Sequence, residues 1–498
     1  MINEPSDTML DRIRGILRSL VVKGPPVYLI GGAVRDLLLK RPAHDLDFAM
    51  PGDVRRVSRA TANALDGAFY MLDEERSTAR VIFHDAEVGR FVLDFAALRA
   101  GTLEGDLRSR DFTVNAIALD MNQPDELIDP LHGAQDLKDR VLRMCSPRSF
   151  EDDPLRVLRG VRQALAYSFR ILPDTWHAMQ AAAPQLERVS MERKRDEIFR
   201  MAEGHGFASA LRMLDQLDVL DQLFPECVQL KDLKPGPPHR LDAWEHTLAV
   251  VQHLENLFAV LVDVHHEDDV ASLHVGMAVT RLGRFRPKLA EFYAQELVTG
   301  RSLRGVMKLA ALLHDTGKVS TGTVDGNGKL HFHGHAAAGG VLAAQRGSAL
   351  TLSKDEAARL QRIVEGHMRL HALSKDSPSV GKREVYRFFR DYGAAGIDIC
   401  MLSLADVLAA YGPQLSADRW MAELDVVEIL FTGWFEQYGK VVNPPRLVTG
   451  KDLIQELGMA PGSQLGALLA AIEEAQACGE IANRGHALAF VRDWLAEE

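Results

Sequence analysis

Two aspartates one residue apart, Asp45 and Asp47 in the run Asp-Leu-Asp-Phe-Ala, carry the densest chemical potential in the chain. The alternation of polar and apolar residues predicts a half-buried strand, on which both carboxylates project from one face. Two acids a few ångströms apart repel unless a cation lies between them, and paired oxygen ligands suit Mg²⁺. Thirteen residues before Asp45, Gly31-Gly32 closes the apolar run Val27 to Ile30 and opens a predicted helix from Ala33 to Lys40. Backbone amides at such a turn approach a phosphate with no Cβ in the way, so Gly32 is a candidate nucleotide contact. Arg35, one turn into the helix, can add charge-assisted bonds to the same phosphates. A further carboxylate, Asp94, lies on a predicted strand, Phe91 to Phe95. Solvated acids on a surface strand would account for a lone Asp-x-Asp; the glycine turn upstream makes the combination specific.

A second constellation is built from histidine. His246 falls on a predicted helix (Ala243 to Leu254), His314-Asp315 ends another (Val306 to Leu313) ahead of Thr316-Gly317-Lys318, and Asp406 lies on a third (Cys400 to Leu408). The chain has 18 histidines, so some coincidence is certain, but the adjacent His314-Asp315 is hard to dismiss. His335 and His367 follow at positions that could supply further ligands. His331 and His333 alternate on a hairpin arm after Asp325-Gly326-Asn327-Gly328 and are expected to be solvated.

The elements that must position these groups change character along the chain. Up to about residue 145 a β/α pattern dominates, with another strand predicted over Ala79 to Phe83; from Pro154 onward the apolar spacing is helical. Lys234-Pro235-Gly236-Pro237-Pro238 marks an internal boundary and Asn443-Pro444-Pro445 a second. The expected fold class is therefore α+β: a small mixed sheet with helices, carried on a long all-α body. With 498 residues the chain has length for about three domains. Its 47% hydrophobic and 26% charged residues are those of an ordinary globular protein. It shows no run of eighteen apolar residues and no leader-like start, and its four cysteines, Cys145, Cys227, Cys400 and Cys478, form no Cys-x-x-Cys pair. A cytoplasmic protein with reduced thiols is the expectation. The net charge of −11 is uneven, −2 over the first 200 residues and −9 over the rest. Residues 156 to 200 are rich in arginine, which matters more for binding phosphates than the total.

These motifs resemble the class II tRNA nucleotidyltransferase and bacterial poly(A) polymerase family of the polymerase-β superfamily. Gly31-Gly32-Ala33-Val34-Arg35-Asp36 with Asp45-Leu46-Asp47 resembles the family's first motif, and Arg110-Asp111-Phe112-Thr113-Val114-Asn115-Ala116 its second. Asp129-Pro130 with Gly133 and Asp136-Leu137 resembles the third, Asp152-Asp153-Pro154-Leu155-Arg156 running on to Arg159 and Arg162 the nucleotide-selecting motif, and Glu192-Arg193 to Glu197 the last. The five blocks stand in family order over roughly residues 25–200. The selecting motif departs from the usual Glu-Asp-x-x-Arg by one carboxylate, Asp152 for Glu. The His246, His314-Asp315, Asp406 order is similar to the HD metal-dependent phosphohydrolases, whose members hold divalent cations through two His and two Asp.

The resemblance implies a polymerase-β-like head (1–150), a helical neck that selects the nucleotide (151–233), an HD-type metal-binding helical domain (234–440) and a helical tail touching tRNA (441–498). It implies addition of CMP and AMP from CTP and ATP to the 3′ end of tRNA. Asp45 and Asp47 would hold two Mg²⁺, Arg110, Arg159 and Arg162 would bind triphosphate or ribose, and His246, His314, Asp315 and Asp406 a divalent metal in the HD domain. Cytosine and adenine both present an amine donor beside a ring-nitrogen acceptor. Asp only accepts and Arg only donates. Asp153 and Arg156, read as three apart on one helix, would meet that shared edge. A split-pair enzyme adding only A or only CC, or a poly(A) polymerase, are near alternatives; the chain shows no phenylalanine-containing basic block of the poly(A) type. An HD phosphohydrolase with a nucleotide-binding head and a non-catalytic RNA-binding protein are more distant ones, disfavoured by the intact Asp45/Asp47 pair.

Overall fold

The computed structural model describes residues 5–21, 25–99, 101–123, 126–234, 236, 241–263, 272–328, 330–376, 380–457 and 460–497. Most of the proline-rich boundary at 235–238 lies outside them. The chain forms two compact units, Met1–Ser190 and Met191–Glu498, and the division falls within the segment expected as the neck.

In the first unit a seven-stranded mixed sheet is built from β1 (Tyr28–Ile30), β2 (Asp45–Met50), β3 (Ala68–Asp73), β4 (Thr78–Asp85), β5 (Gly89–Ala97), β6 (Ala118–Asp120) and β7 (Leu127–Ile128). The order is β3-β4-β5-β2-β1-β6-β7. Only β2 and β5 run parallel; the other pairings are antiparallel. Helices α1 (Pro5–Val21), α2 (Gly32–Leu38), α3 (Arg55–Ala64), α4 (Leu103–Arg108), α5 (Gly133–Lys138), α6 (Ser149–Asp152) and α7 (Arg156–Ala166) complete the frame of this unit.

The period of two decides what each sheet face does. Leu46, Phe48, Val81, Phe83, Phe91, Leu93 and Phe95 are all buried on one face, where Phe48 stacks on Phe95 with ring centroids 5.0 Å apart. The residues between them, Asp45, Asp47, Arg80, Ile82, Val92 and Asp94, occupy the other face and stay at least partly exposed. That face is closed toward β1 and β6, where Ile30, Ala49, Ala116 and Ala118 pack with Leu107 of α4. Thr102 starts α4 by accepting a bond from the Gly105 amide (3.2 Å).

The second unit is helical. Its core is laid down by α8 (Ala243–Leu261), α9 (Leu303–Leu313), α10 (His335–Ala349), α11 (Lys354–Gly366), α12 (Arg369–Asp376), α13 (Ala395–Tyr411) and α14 (Ala417–Phe435). The segment Ala395–Gln414 is long and apolar enough to cross a membrane by composition, but 83% of its apolar window is buried inside this unit, and it is the core helix that carries Asp406. The arm expected after Asp325 is present as a short hairpin, Thr323–Val324 with Leu330–His331.

Phe95→Ala removes a fully buried ring from beneath the aspartate face. Urea unfolding of the variant is expected to show a loss of about 3–5 kcal/mol in the transition that reports the head.

Candidate functional site

Asp45 and Asp47 are both accessible and flank buried Leu46, so they share a face as the alternation requires. The parallel register sets Asp47 directly against Asp94 on β5, which brings a third carboxylate onto that face. Asp94 in turn lies opposite Arg80 on β4, and the guanidinium grips both its oxygens at 2.8 Å. Asp47 reaches solvent but is walled by protein on most sides. That enclosure raises its carboxyl above the ordinary value; Arg110 opposes the rise, and Asp94 and Asp45 add to it. Three oxygen donors on one face fit a hard divalent cation.

The glycine turn belongs to the same site. Gly31 has φ +76°, and a Cβ there would lie 2.8 Å from Arg110 Nη1 and 3.5 Å from Asp47 Oδ2. The turn therefore admits Arg110 to the aspartates as well as a ligand to the backbone. Arg110 donates to Asp106 (3.3 Å), while its buried Nε has no hydrogen-bond partner among the described residues, as expected of a guanidinium placed for something beyond the fold. Gly32 begins α2.

Arg35 stands elsewhere than the motif suggests. It is buried, and each of its three nitrogens already donates within the protein. Nε and Nη2 bind Asp36 at 2.9 Å, Nη1 binds Asn115 Oδ1 at 2.7 Å, and Nη2 also reaches Tyr167, whose ring lies 4.1 Å below the guanidinium. Asn115 passes the connection on by donating to Asp111 (3.0 Å) and Gln163 (2.9 Å). Arg159 closes the network on Asp111 at 3.1 Å. Burial works against ionised Asp111, but Arg159, Asn115, the Phe112 amide and Arg156 together hold its carboxyl below the usual range. Arg162, one turn further along α7, is half-buried.

Asp153 and Arg156 do not share one helix, contrary to the expectation from their spacing. Asp153 has extended backbone (φ −150°, ψ 98°) between α6 and α7, and α7 begins only at Arg156. Pro154 bars the residue before it from helical conformation, which is the physical reason. The two are instead joined by a turn, the Arg156 amide donating to the Asp153 carbonyl at 3.0 Å. The Arg156 guanidinium is anchored on the carbonyls of Ser109 (2.9 Å), Arg110 (3.2 Å) and Ser149 (2.9 Å). The third motif is architectural: Asp129 accepts from the Gly133 and Ala134 amides, and a Cβ on Gly133 would lie 2.0 Å from the Thr113 carbonyl oxygen.

In the second unit the four residues named from sequence come together. His246 Nε2 lies 3.0 Å from Asp406 and 3.7 Å from Asp315, and His314 Nε2 lies 3.3 Å from Asp315. His335 and His367 approach the other Asp315 oxygen at 3.6 and 3.8 Å. Asp315 thus belongs to two metal-competent triads, one with His246 and His314 and one with His335 and His367. His314, His335 and His367 each direct Nδ1 at a backbone carbonyl, of Ala311, Phe332 and Val364, at 2.7–2.8 Å. A carbonyl only accepts, so Nδ1 carries a proton in each ring and Nε2 is the atom turned toward Asp315; burial opposes protonation of His314, but Asp315 and Asp406 raise its pKa, and the Nε2 atoms of His335 and His367 lie 3.2 Å apart. His314 Nε2 is buried and faces Asp315. Burial next to His314 drives His367 down to about 3, so it is neutral. Burial opposes the charge on Asp315, but His314 and Lys318, the latter 2.5 Å away, hold it ionised. His371 and Glu423 extend the cluster beyond Asp406 and were not read from sequence; the spacing of His367 and His371 by four was the available signal. His331 remains on the hairpin, bonded to Asp325.

A Poly A polymerase head domain pattern matches residues 27–143 and an HD domain pattern residues 287–411. Further patterns, for an RNA- and SrmB-binding site of polymerase A and for tRNA nucleotidyltransferase domain 2, match 168–230 and 440–491. An A-adding tRNA nucleotidyltransferase of Deinococcus radiodurans is 34% identical over 480 residues, 95% of this chain and 96% of the relative. A CC-adding tRNA nucleotidyltransferase of Geobacter sulfurreducens is 30% identical over 93% of this chain and 91% of the relative. Among solved structures, a CCA-adding enzyme with ATP superposes with a TM-score of 0.63 at 22% identity, covering 98% of this chain and 96% of that one. The Thermotoga maritima CCA-adding enzyme complexed with tRNA gives 0.58 at 22%, covering 99% and 96%. The fold and the acidic head site define a polymerase-type nucleotidyltransferase carrying an HD domain. The chain belongs to the tRNA nucleotidyltransferase family.

Gly31→Ala strains a left-handed backbone and pushes Arg110 from Asp47. Nucleotide transfer is expected to fall at least about tenfold while circular dichroism stays native. His314→Ala removes a ligand from one triad; elemental analysis after loading with Mn²⁺ or Ni²⁺ is expected to show less metal retained than in the unsubstituted chain, whereas equal retention contradicts the ligand set.

Proposed function

We propose that this protein transfers CMP and AMP from CTP and ATP to the 3′ end of tRNA without a nucleic-acid template, with cytoplasmic tRNA as its substrate. The observation that carries the reading is the row of carboxylates Asp45, Asp47 and Asp94 facing Arg110 across the Gly31 turn. Mg²⁺ held by Asp45 and Asp47 would supply the charge that makes the 3′-hydroxyl nucleophilic and steadies the departing pyrophosphate. Arg110 binds the triphosphate. Gly32 lets it lie against the backbone. Arg35 acts through Asn115, Asp111 and Arg159 to keep the second motif and α7 in register, and Arg159 and Arg162 present charge to the nucleotide.

Asp153 and Arg156 select the base. Arg156 gives both Nη1 hydrogens and one Nη2 hydrogen to carbonyls, which leaves Nε–H and the other Nη2–H to meet a ring nitrogen, with the Asp153 carboxylate for the exocyclic amine. U and G would oppose acceptor to acceptor and donor to donor, at about 1–3 kcal/mol per unpaired buried group. A chain specialised for A alone is the second reading, favoured by the full-length similarity to an A-adding relative. For the HD unit we propose metal-dependent hydrolysis of phosphate esters, supported by the two triads sharing Asp315.

Transcripts ending before CCA, after C and after CC, each given one labelled nucleotide, are expected to take CMP, CMP and AMP respectively. AMP on the last alone identifies the A-specific alternative. Asp45→Ala is expected to lower every transfer by about 10³-fold, the scale of several kcal/mol of lost charge stabilisation; an unimpaired variant contradicts the assignment.

A further inference from the structure

The strand registers extend the aspartate row outward. Asp47 pairs with Asp94, Asp94 with Arg80, and Arg80 with Tyr70 on β3, so four strands present carboxylate, carboxylate, guanidinium and phenol side by side on one face. The next row is Asp45, Val92, Ile82, Ala68. Directly opposed residues project from the same side of a sheet. Tyr70 is 51% exposed and makes no side-chain hydrogen bond among the described residues. Leu72, two residues on, is equally exposed. Phe69, on the reverse side of β3, lies under the Arg59 guanidinium at 4.9 Å. Packing explains Phe69 and does not explain Tyr70.

The site is asymmetric about Asp47. On the β1 side lie the Gly31 turn, Arg110 and the apolar cluster under α4, which serve the nucleotide and close the face. On the β5-β4-β3 side the face is open. In-line transfer needs its two reactants on opposite sides of the reacting phosphorus, so the RNA 3′ end enters over the open strands. We propose that Tyr70 and Arg80 are the binding site for the last unpaired nucleotides of that strand, Tyr70 stacking on a base and Arg80 holding a phosphate. Three strand spacings separate Tyr70 from Asp47, roughly 14 Å, so the stacked base is one upstream of the reacting nucleotide. Arg80 binds Asp94 through Nε and Nη2, which leaves Nη1 for a phosphate oxygen. It is the cation that lets a polyanion pass three carboxylates. Ile82 and Val92 form the apolar floor beneath. Stacking on tyrosine accepts any base, which suits an RNA end that changes as it grows.

The inference rests on the transfer reading above, and its test separates the two. With full-length protein and a transcript ending in CC, Tyr70→Ala is expected to raise KM for the RNA roughly tenfold, with kcat and KM for ATP within twofold. Tyr70→Trp is expected to restore it. A fluorescent base analogue at the penultimate position is quenched on binding the unsubstituted chain and Tyr70→Trp, and not by Tyr70→Ala. Unchanged RNA KM and quenching in Tyr70→Ala overturn the proposal, as does a loss confined to kcat or to ATP. Should the unsubstituted chain transfer no nucleotide, it is the transfer reading that fails, and the quenching arm still decides whether Tyr70 stacks on RNA.

Discussion

Repulsion among Asp45, Asp47 and Asp94 is the constraint around which the head is organised. A parallel pairing of β2 with β5 places two of these acids opposite each other, and the period of the strand adds the third on the same face. Like charges so arranged destabilise a sheet. The fold tolerates them because Phe48, Leu93 and Phe95 anchor the same strands from below, and because Arg80 and Arg110 stand at either end of the row. Burial raises the Asp47 carboxyl, and Asp94 and Asp45 add to the rise against the pull of Arg110. Accessible carboxylates grouped on one face are what a cation-dependent phosphate chemistry requires.

The polar groups behind the row are organised for the opposite purpose. Arg35, Asn115, Asp111, Gln163 and Arg159 are joined in one network, and Asp111 is held ionised by that company. Such a network fixes α2, the segment around Asp111 and Asn115 and α7 together, which gives the aspartate face a rigid backing. The HD cluster solves the like-charge problem differently. There Asp315 is surrounded by imidazoles and Lys318, Asp406 is held by His246 and His371, and the backbone carbonyls of Ala311, Phe332 and Val364 hold Nδ1 of the three rings.

Local pattern in the sequence expresses much of this architecture. The alternation around Asp45, the glycine turn and the adjacent His314-Asp315 are short-range signals that period and spacing express directly. What the pattern hid depends on distant partners. Arg35 looks like a phosphate ligand in its motif, yet Asp36 and Asn115, 80 residues away, capture it. Asp153 and Arg156 have helical spacing, but Pro154 breaks the helix between them. Strand β3 shows no polar–apolar alternation over Phe69-Tyr70-Met71-Leu72, and its edge position and registry with Arg80 follow only from the sheet. His371 and Glu423 join their cluster through helix packing, which leaves no spacing rule between them.

If uncompensated charge on Asp45 and Asp47 is retained for binding cations, neutralising it should stabilise the fold and abolish the binding. Mn²⁺ binding by electron paramagnetic resonance, with a non-hydrolysable CTP analogue and in a His314→Ala background that weakens the second site, reads this directly. The double substitution Asp45→Asn, Asp47→Asn is predicted to lose the nucleotide-dependent Mn²⁺ signal while its Tm stays level or rises. Retained Mn²⁺ binding together with a lowered Tm would show instead that the two aspartates are structural.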